Sequence, residues 1–163
     1  LHSEGGVASR ELSCRGLLSE GFHMPLIARI ALGEHWRKTP DAQRQNYIAL
    51  FSAFVLKTYG PHLGSFEPAN FLVIDAIEKG KVDRLVRTQI AQNNGPPLEA
   101  GWRIRMVNGT PKIVDVVVGG VSMTLTQRRE FQSIMRRDGI DGLLELLRAR
   151  TEMLSVESSA TDS

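Results

Sequence analysis

The chain has 163 residues, 42% hydrophobic and 23% charged, proportions that suit one globular domain with a real core. Its formal net charge of +2 permits contact with an anionic surface but does not indicate a nucleic-acid-binding protein. No apolar run approaches the roughly 18 residues of a membrane span, and the single Cys14 excludes an internal disulfide.

The first part of the chain is predicted to be helical. A short helix is expected over residues 10–19, and a second helix begins near Pro25, a residue that suits an early helical position. Apolar residues at helical spacing continue this second helix as far as Gly33: Ile27, Ile30 and Ala31.

A third helix is predicted to begin with Thr39 as its N-cap and Pro40 at its first position, and to stop at Gly60-Pro61 after reaching Tyr59. Its apolar stripe is broad enough to face a core. The residues of this stripe are Tyr47, Leu50, Phe51, Phe54 and Val55.

Residues 71–118 are predicted to form a meander of four antiparallel strands joined by short turns. The strands cover residues 71–77, 82–92, 98–106 and 112–118. The third strand alternates strictly, with Leu98, Ala100, Trp102, Ile104 and Met106 on one face and Glu99, Arg103 and Arg105 on the other. Asn108-Gly109 predicts a tight hairpin turn. In the fourth strand the same periodicity places one set of side chains on one face of the strand and the alternate set on the other. The first set is Val114, Val116 and Val118, and the second is Ile113, Asp115 and Val117.

Two helices are predicted after the strands. Thr124 and Gln127 fit the N-cap and third position of a capping box, and Gly139 suits a left-handed helix end. Asp141 then begins a last, leucine-rich helix. The small polar residues 155–163 predict a disordered tail behind a single domain of residues 1–154. The fold class is therefore α+β, with a four-stranded antiparallel sheet between N- and C-terminal helices.

Catalytic and metal-binding patterns are not recognisable in the sequence. The histidines do not occur at metal-ligand spacing, and no nucleophile motif is present, so we predict neither metal dependence nor hydrolytic activity. Asp75 and Asp115 lie among apolar strand residues, where a carboxylate could act as a general base. The alternative is that each points to solvent or to an arginine on the outer sheet face.

Two stretches carry a resemblance to a known family. The run from Gly101 to Gly139 resembles the periplasmic toluene-tolerance family, which includes the phospholipid carriers of the Mla pathway. The matching residues are Trp102, Asp115-Val116-Val117-Val118, Gly119-Gly120-Val121-Ser122, Arg128 and Phe131. A second match comprises Ala28-Arg29, Leu32-Gly33 and Trp36-Arg37. Thr126-Gln127-Arg128 stands where many carriers have Asn-Tyr-Arg, and it is more similar to the hopanoid-associated branch.

The resemblance implies a curved sheet wrapped by helices into a cone of the nuclear-transport-factor type. It also implies a periplasmic shuttle, with no cofactor, that maintains outer-membrane lipid asymmetry as an auxiliary component of an ABC transporter. The cargo would be phospholipid or a hopanoid-type lipid, and the partners would be inner- and outer-membrane transport complexes rather than nucleic acid. The apolar side chains then expected to bind lipid are Tyr47, Phe51, Phe54, Trp102, Ile104, Met106, Val114, Val116, Val118, Phe131 and Ile134.

The sequence leaves alternative interpretations of these residues open. The same apolar side chains could form a close-packed core, which periodicity cannot distinguish from a lipid cavity. A small cone-shaped enzyme that uses a buried carboxylate is the second functional class. Arginines of the first C-terminal helix could meet lipid phosphates or a partner, or could face water: Arg128, Arg129, Arg136 and Arg137.

Overall fold

The structure, a computed structural model, describes residues 20–64 and 70–161, and it describes no side chains in 60–64 or 156–161. The predicted helix over residues 10–19 lies outside these ranges. The helices are α1 (Met24–Leu32), α2 (His35–Lys38), α3 (Asp41–Gly64) and α4 (Met123–Thr161). The strands are β1 (Phe71–Lys79), β2 (Asp83–Ile90), β3 (Leu98–Val107), β4 (Thr110–Val118) and β5 (Val121–Ser122).

The predicted α+β architecture is confirmed, with one more strand than expected. All neighbouring strands are antiparallel and follow chain order in a five-stranded curved sheet. The fifth strand has only two residues, too few for a periodic pattern in the sequence. Asn108 and Gly109 both have positive φ, as the predicted Asn-Gly hairpin turn requires.

The helix boundaries differ from the predictions in the middle of the chain. The Thr39 hydroxyl donates to the His35 carbonyl, so it satisfies the end of α2 instead of capping α3, which begins at Asp41. α3 also continues past Gly60-Pro61 to Gly64. A proline removes one helical hydrogen bond, and near the end of a helix that loss does not terminate the backbone.

α4 contains the break that the sequence predicted. Gly139 has a φ of 71° and a ψ of −171°, which are not helical, so the helix is kinked there. The chain remains helical to Thr161, which includes most of the segment 155–163 that its composition predicted to be disordered.

The core lies where α1, α3 and α4 meet the β4 side of the sheet. Tyr47 and Phe51 of α3 contact Phe131 of α4, with ring centroids 5.9–6.3 Å apart and the Phe131 ring edge-on to both others. The Tyr47 hydroxyl donates to the Ala28 carbonyl of α1 over 2.6 Å, which joins α3 to α1 within the core. Burial raises the pKa of this Tyr47 hydroxyl far above its usual range.

The prediction of which β4 side chains share a face of the sheet is wrong in the first half of the strand. Trp102 is opposite Val116 and Ile104 is opposite Ile113, so a bulge at Val114 interrupts the register. Because directly opposed residues share a face, Ile113 points to the same side as Val116, and both pack against the core. Phe22 bridges to Ile113, and the His23 amide donates to the Ile113 carbonyl, so the segment before α1 pairs with β4 beside this bulge.

Candidate functional site

The predicted lipid-binding residues fall into three groups by burial. The buried group consists of Tyr47, Phe51, Phe54, Val114, Phe131 and Ile134. The half-buried group consists of Trp102, Ile104, Val116 and Val118. Met106 stands apart because it is 60% exposed near the end of β3, where the helices do not cover the sheet.

The buried aromatic residues are in contact with one another. Tyr47, Phe51 and Phe131 have exposures of 1% or less and make mutual ring contacts, so together they fill the centre of the core. Trp102 and Val116 pack against this cluster from the sheet while remaining partly accessible. The half-buried sheet residues are therefore better placed than the aromatic centre to meet a ligand.

The helix-covered side of the sheet, here named the inner face, carries two largely apolar rows that cross four strands. One row of directly opposed residues consists of Val116, Trp102, Val86 and Ala76. The next row consists of Val118, Ala100, Thr88 and Val73. Opposed residues point to the same side, so both rows run from the covered strand β4 to the edge strand β1.

Polar groups on the inner face satisfy one another. The Trp102 indole N–H donates to the Thr88 hydroxyl over 3.0 Å, and this hydroxyl donates to the Ala100 carbonyl over 2.8 Å. Thr88 is itself buried. The tryptophan and threonine therefore offer hydrocarbon to the inner face, while their hydrogen-bonding atoms are already engaged.

The far edge of the sheet is apolar and exposed. β1 carries large hydrophobic side chains that are 41–63% exposed: Leu72, Val73, Ile74 and Ile77. Apart from Asp75, the first seven residues of β1 are apolar on both faces of the strand, a pattern typical of burial. The structure instead leaves these side chains accessible, because the described helices pack at the β4 side of the sheet.

Motif residues shared with the family form joints between elements. The Asp115 carboxylate accepts from the Val116 and Thr124 amides over 2.8 and 3.1 Å and from the Ser122 hydroxyl. Ser122 in turn accepts from the Leu125 amide over 3.1 Å, which makes Ser122 the N-cap of α4. The predicted capping box of Thr124 and Gln127 is therefore wrong, and Gln127 Oε1 is buried without a hydrogen-bond partner in the part of the chain that the structure describes.

The strand carboxylates are held by partners and do not face an apolar pocket. Asp75 pairs with Arg87, whose guanidinium holds the pKa of Asp75 below its usual value. Asp115 is engaged at the start of α4, as described above. The sequence pattern did not single out Asp83, whose buried carboxylate binds both Arg103 and Arg105. Two arginines at alternating positions of β3 were the available signal, but their partner lies 20 or more residues away.

A groove lies between α3 and the second half of α4. It is lined mainly by polar and charged side chains, including Gln43, Asn46, Asp141, Glu145 and Arg148. Gln43 donates to the Asp141 carboxylate across it over 2.8 Å. This polar lining does not suit an acyl chain.

Within residues 20–59 and 70–155, histidine, cysteine and acidic side chains do not gather in threes as a metal site would need, and the predicted metal independence stays a prediction. None of the helices in these ranges combines the length and apolarity needed to cross a bilayer.

Comparisons with known proteins match most of the chain. The family model described as MlaC protein matches residues 4–149. The intermembrane phospholipid transport system binding protein MlaC of Haemophilus influenzae is 26% identical over 117 residues, which cover 69% of this chain and 55% of that protein. This chain thus spans about half the length of that relative. A phospholipid-binding protein of Ralstonia solanacearum, solved with a phospholipid, superposes with a TM-score of 0.76 at 21% identity, covering 93% of this chain and 89% of the other.

Proposed function

Because the chain belongs to the MlaC family, we propose that it binds phospholipid through its acyl chains and carries it between membranes in the periplasm. The acyl chains lie along the inner face of the sheet, from Val116 and Trp102 towards Val73. A hopanoid-type lipid is the alternative cargo. Inner- and outer-membrane transport complexes are the proposed donors and acceptors, and no cofactor takes part.

The apolar continuity of the inner face carries this proposal. Val116 and Trp102 pack against the core, Val86 is half-buried beside them, and Val73 is 63% exposed at the sheet edge. A flexible hydrocarbon chain could enter at β1 and extend towards β4 while it covers side chains that otherwise face water. Exposed apolar surface of this kind typically marks a binding site.

The energetics suit a carrier that releases its cargo. Removing one methylene group from water is worth about 0.8 kcal/mol, so an acyl chain gains on the order of 10 kcal/mol when it is fully covered. A chain that lies partly exposed along an open face gains less than this. Partial cover therefore allows transfer to a membrane, where the same methylene groups are buried completely.

The strand aspartates that a cone-shaped enzyme could use as a general base are all engaged. Asp75, Asp83 and Asp115 each hold arginine or backbone partners, and none stands in an apolar pocket. A general base needs an open site next to the proton that it removes. The arrangement of these carboxylates favours a binding protein.

Extraction of lipid from the purified chain, followed by mass spectrometry, tests the function. We expect near-stoichiometric phospholipid after expression in a Gram-negative host. If the protein is exposed to both lipid classes and retains only hopanoid, its cargo is a hopanoid-type lipid. Protein that never carries lipid, and that takes up none from phospholipid vesicles, would contradict the carrier function.

A pair of matched variants tests the location. Val73→Asp places a charge on the inner face, and Val82→Asp places the same charge on the β1–β2 turn, where Val82 is 69% exposed. Both sites are accessible, so neither variant should unfold. We expect Val73→Asp to lose most of its bound lipid and Val82→Asp to keep it. Equal lipid content in the two variants would show that β1 is not part of the lipid-binding site.

A further inference from the structure

The first half of α4 presents a row of arginines on one exposed side. At about 100° per residue, Arg128, Arg129 and Arg136 fall with Leu125 and Gln132 into an arc of about 100°. This arc faces away from the buried Phe131 and Ile134. All three arginines are exposed, and Leu125 is 46% exposed among them. These residues, 125, 128, 129, 132 and 136, are here named the arginine stripe.

The arginine stripe contains no acidic residue. Within the described ranges, none of its arginines forms a salt bridge, whereas Arg87, Arg103 and Arg105 on the sheet each bind an aspartate. The acidic side chains of the same helical segment are engaged outside the stripe. Glu130 binds Arg150, and Asp138 binds Arg137. Three positive charges are therefore concentrated on a surface whose own helix does not neutralise them.

The neighbouring helix extends this positive surface. Arg128 and Gln132 lie so close to Gly33 that a methyl group there would meet their nitrogens at 3.0 and 2.6 Å. Gly33 directly follows α1, and its amide donates to the carbonyl of Arg29. The Arg29 side chain is exposed and has no salt bridge among the described residues. Glu34 is the acidic residue next to this contact, so a positive excess remains.

We propose that the arginine stripe docks the protein on a bilayer surface that contains anionic phospholipid. Guanidinium groups match phosphate oxygens with two parallel hydrogen bonds, which lysines cannot do. The exposed Leu125 adds an apolar contact at the headgroup boundary, as in helices that lie on membranes. A convex helix side with an apolar residue among its cations fits a lipid surface better than it fits the cleft of an acidic protein. This docking concerns the protein exterior and does not depend on which lipid occupies the inner face.

Vesicle co-sedimentation tests the proposal with the whole chain. Wild type should bind vesicles of phosphatidylethanolamine with phosphatidylglycerol more tightly than vesicles of phosphatidylcholine alone, and high salt should abolish the difference. R128Q/R129Q/R136Q should weaken binding to the anionic vesicles about a hundredfold, since each cation near such a surface contributes about a factor of five. R129Q/R136Q leaves the packing of Arg128 on Gly33 intact and should weaken binding more than tenfold by the same reasoning.

The control removes the same charge from another place. K79Q/K81Q/R84Q takes three exposed cations from the end of β1, the following turn and the start of β2, and it should bind anionic vesicles nearly as wild type does. Equal loss in the control and the stripe variants would overturn the proposal, because it would show attraction by net charge alone. The proposal would also be overturned if the wild-type protein showed no preference for anionic vesicles. That result would include the case in which the arginine stripe binds only an acidic protein. Extracted lipid is measured on every variant, and an absence of lipid from all of them would contradict the carrier function without affecting the docking result.

Discussion

At the scale of single residues, Asp83 is the most deeply buried charged residue that the structure describes. Its carboxylate is 1% exposed and accepts from Arg103 Nε over 2.6 Å and from Arg105 Nε and Nη2 over 2.7 and 2.9 Å. The hydrogen bonds from Arg105 and then Arg103 hold the pKa of Asp83 below its usual value. The ionised carboxylate therefore joins the start of β2 to β3.

Asp83→Asn should lower the free energy of unfolding by about 1–2 kcal/mol near pH 7, because it removes charge-assisted bonds from a buried acceptor. Both arginines are roughly one-third exposed and can return to water, so the loss is smaller than for a fully buried pair. A lowered folded-state pKa stabilises the protein above the unfolded-state value near 4, and this stabilisation disappears as the pH falls through the folded-state pKa. Urea unfolding across this pH range measures it.

The difference between wild type and Asp83→Asn should accordingly shrink in acid. Asp138→Asn is the control, because Asp138 pairs with Arg137 on the surface and should matter little at any pH. A difference between wild type and Asp83→Asn that stays constant with pH would show that shape, and not charge, is what Asp83 contributes.

Gly33→Ala should destabilise the protein for two reasons that a control separates. The φ of Gly33 is +64°, and an added methyl group would lie 2.6 Å from Gln132 Nε2. Gly119 has a φ of +58° but no atom within 4 Å of such a methyl group, so Gly119→Ala reports the cost of a positive φ without a clash, about 1–2 kcal/mol. The ψ of Gly33 is −138°, which adds to the backbone cost of Gly33→Ala. Thermal melting of both variants should show the larger loss for Gly33→Ala, and equal losses would mean that Gln132 and Arg128 move aside freely.

At the scale of elements, α4 is attached to the sheet through its first turn. Asp115 reaches from β4 to the Thr124 amide and the Ser122 hydroxyl, and Ser122 caps the helix. The free N–H groups of a helix start need such acceptors when water is excluded, and Thr124 is buried. One strand residue thus determines where the following helix begins.

Asp115→Ala should cost about 1–3 kcal/mol, because it leaves a buried amide at the start of α4 without its acceptor. Asp75→Ala is the matched control, a strand aspartate whose partner Arg87 is exposed to solvent, and it should have a smaller effect. Chemical denaturation of both variants gives the comparison. Equal effects would show that water replaces the Asp115 carboxylate without loss.

The sequence predicted these elements well where the signals were local. Alternation and the Asn108-Gly109 turn located β3 and β4, and Gly139 located the kink. The bulge at Val114 was not predictable, because the Val-rich strand reads equally well in either register. The capping prediction also failed, since the acceptor for Thr124 comes from Asp115, nine residues earlier and in another element.

At the scale of the whole molecule, the helices that the structure describes cover only part of the sheet. The helices gather over β4, while β1 exposes apolar side chains at the opposite edge. The resemblance of the motifs predicted the family correctly. It could not locate the open apolar surface, because the spacing of hydrophobic residues is the same whether a strand faces helices, water or a lipid.

Removal of bound lipid should lower the melting temperature. A ligand that binds only the folded state at a hundredfold excess over its dissociation constant adds about 2.7 kcal/mol. For a domain of this size that corresponds to about 5–10 °C. Calorimetry of the purified protein, of the same protein stripped on a hydrophobic resin, and of the stripped protein after reloading from vesicles measures the effect. Identical melting of all three samples would indicate that cargo contributes no binding energy to the folded state.

The edge position of β1 also bears on how copies of this chain avoid one another. An edge strand rich in leucine, valine and isoleucine is a template for strand-to-strand polymerisation. The register shift between Val73 and Asp75 interrupts that template, so a second copy of β1 cannot pair in phase along its full length. Glu78 and Lys79 add charges at the end of the strand. While this apolar edge is uncovered, one irregular peptide near Ile74 is an obstacle to fibril growth.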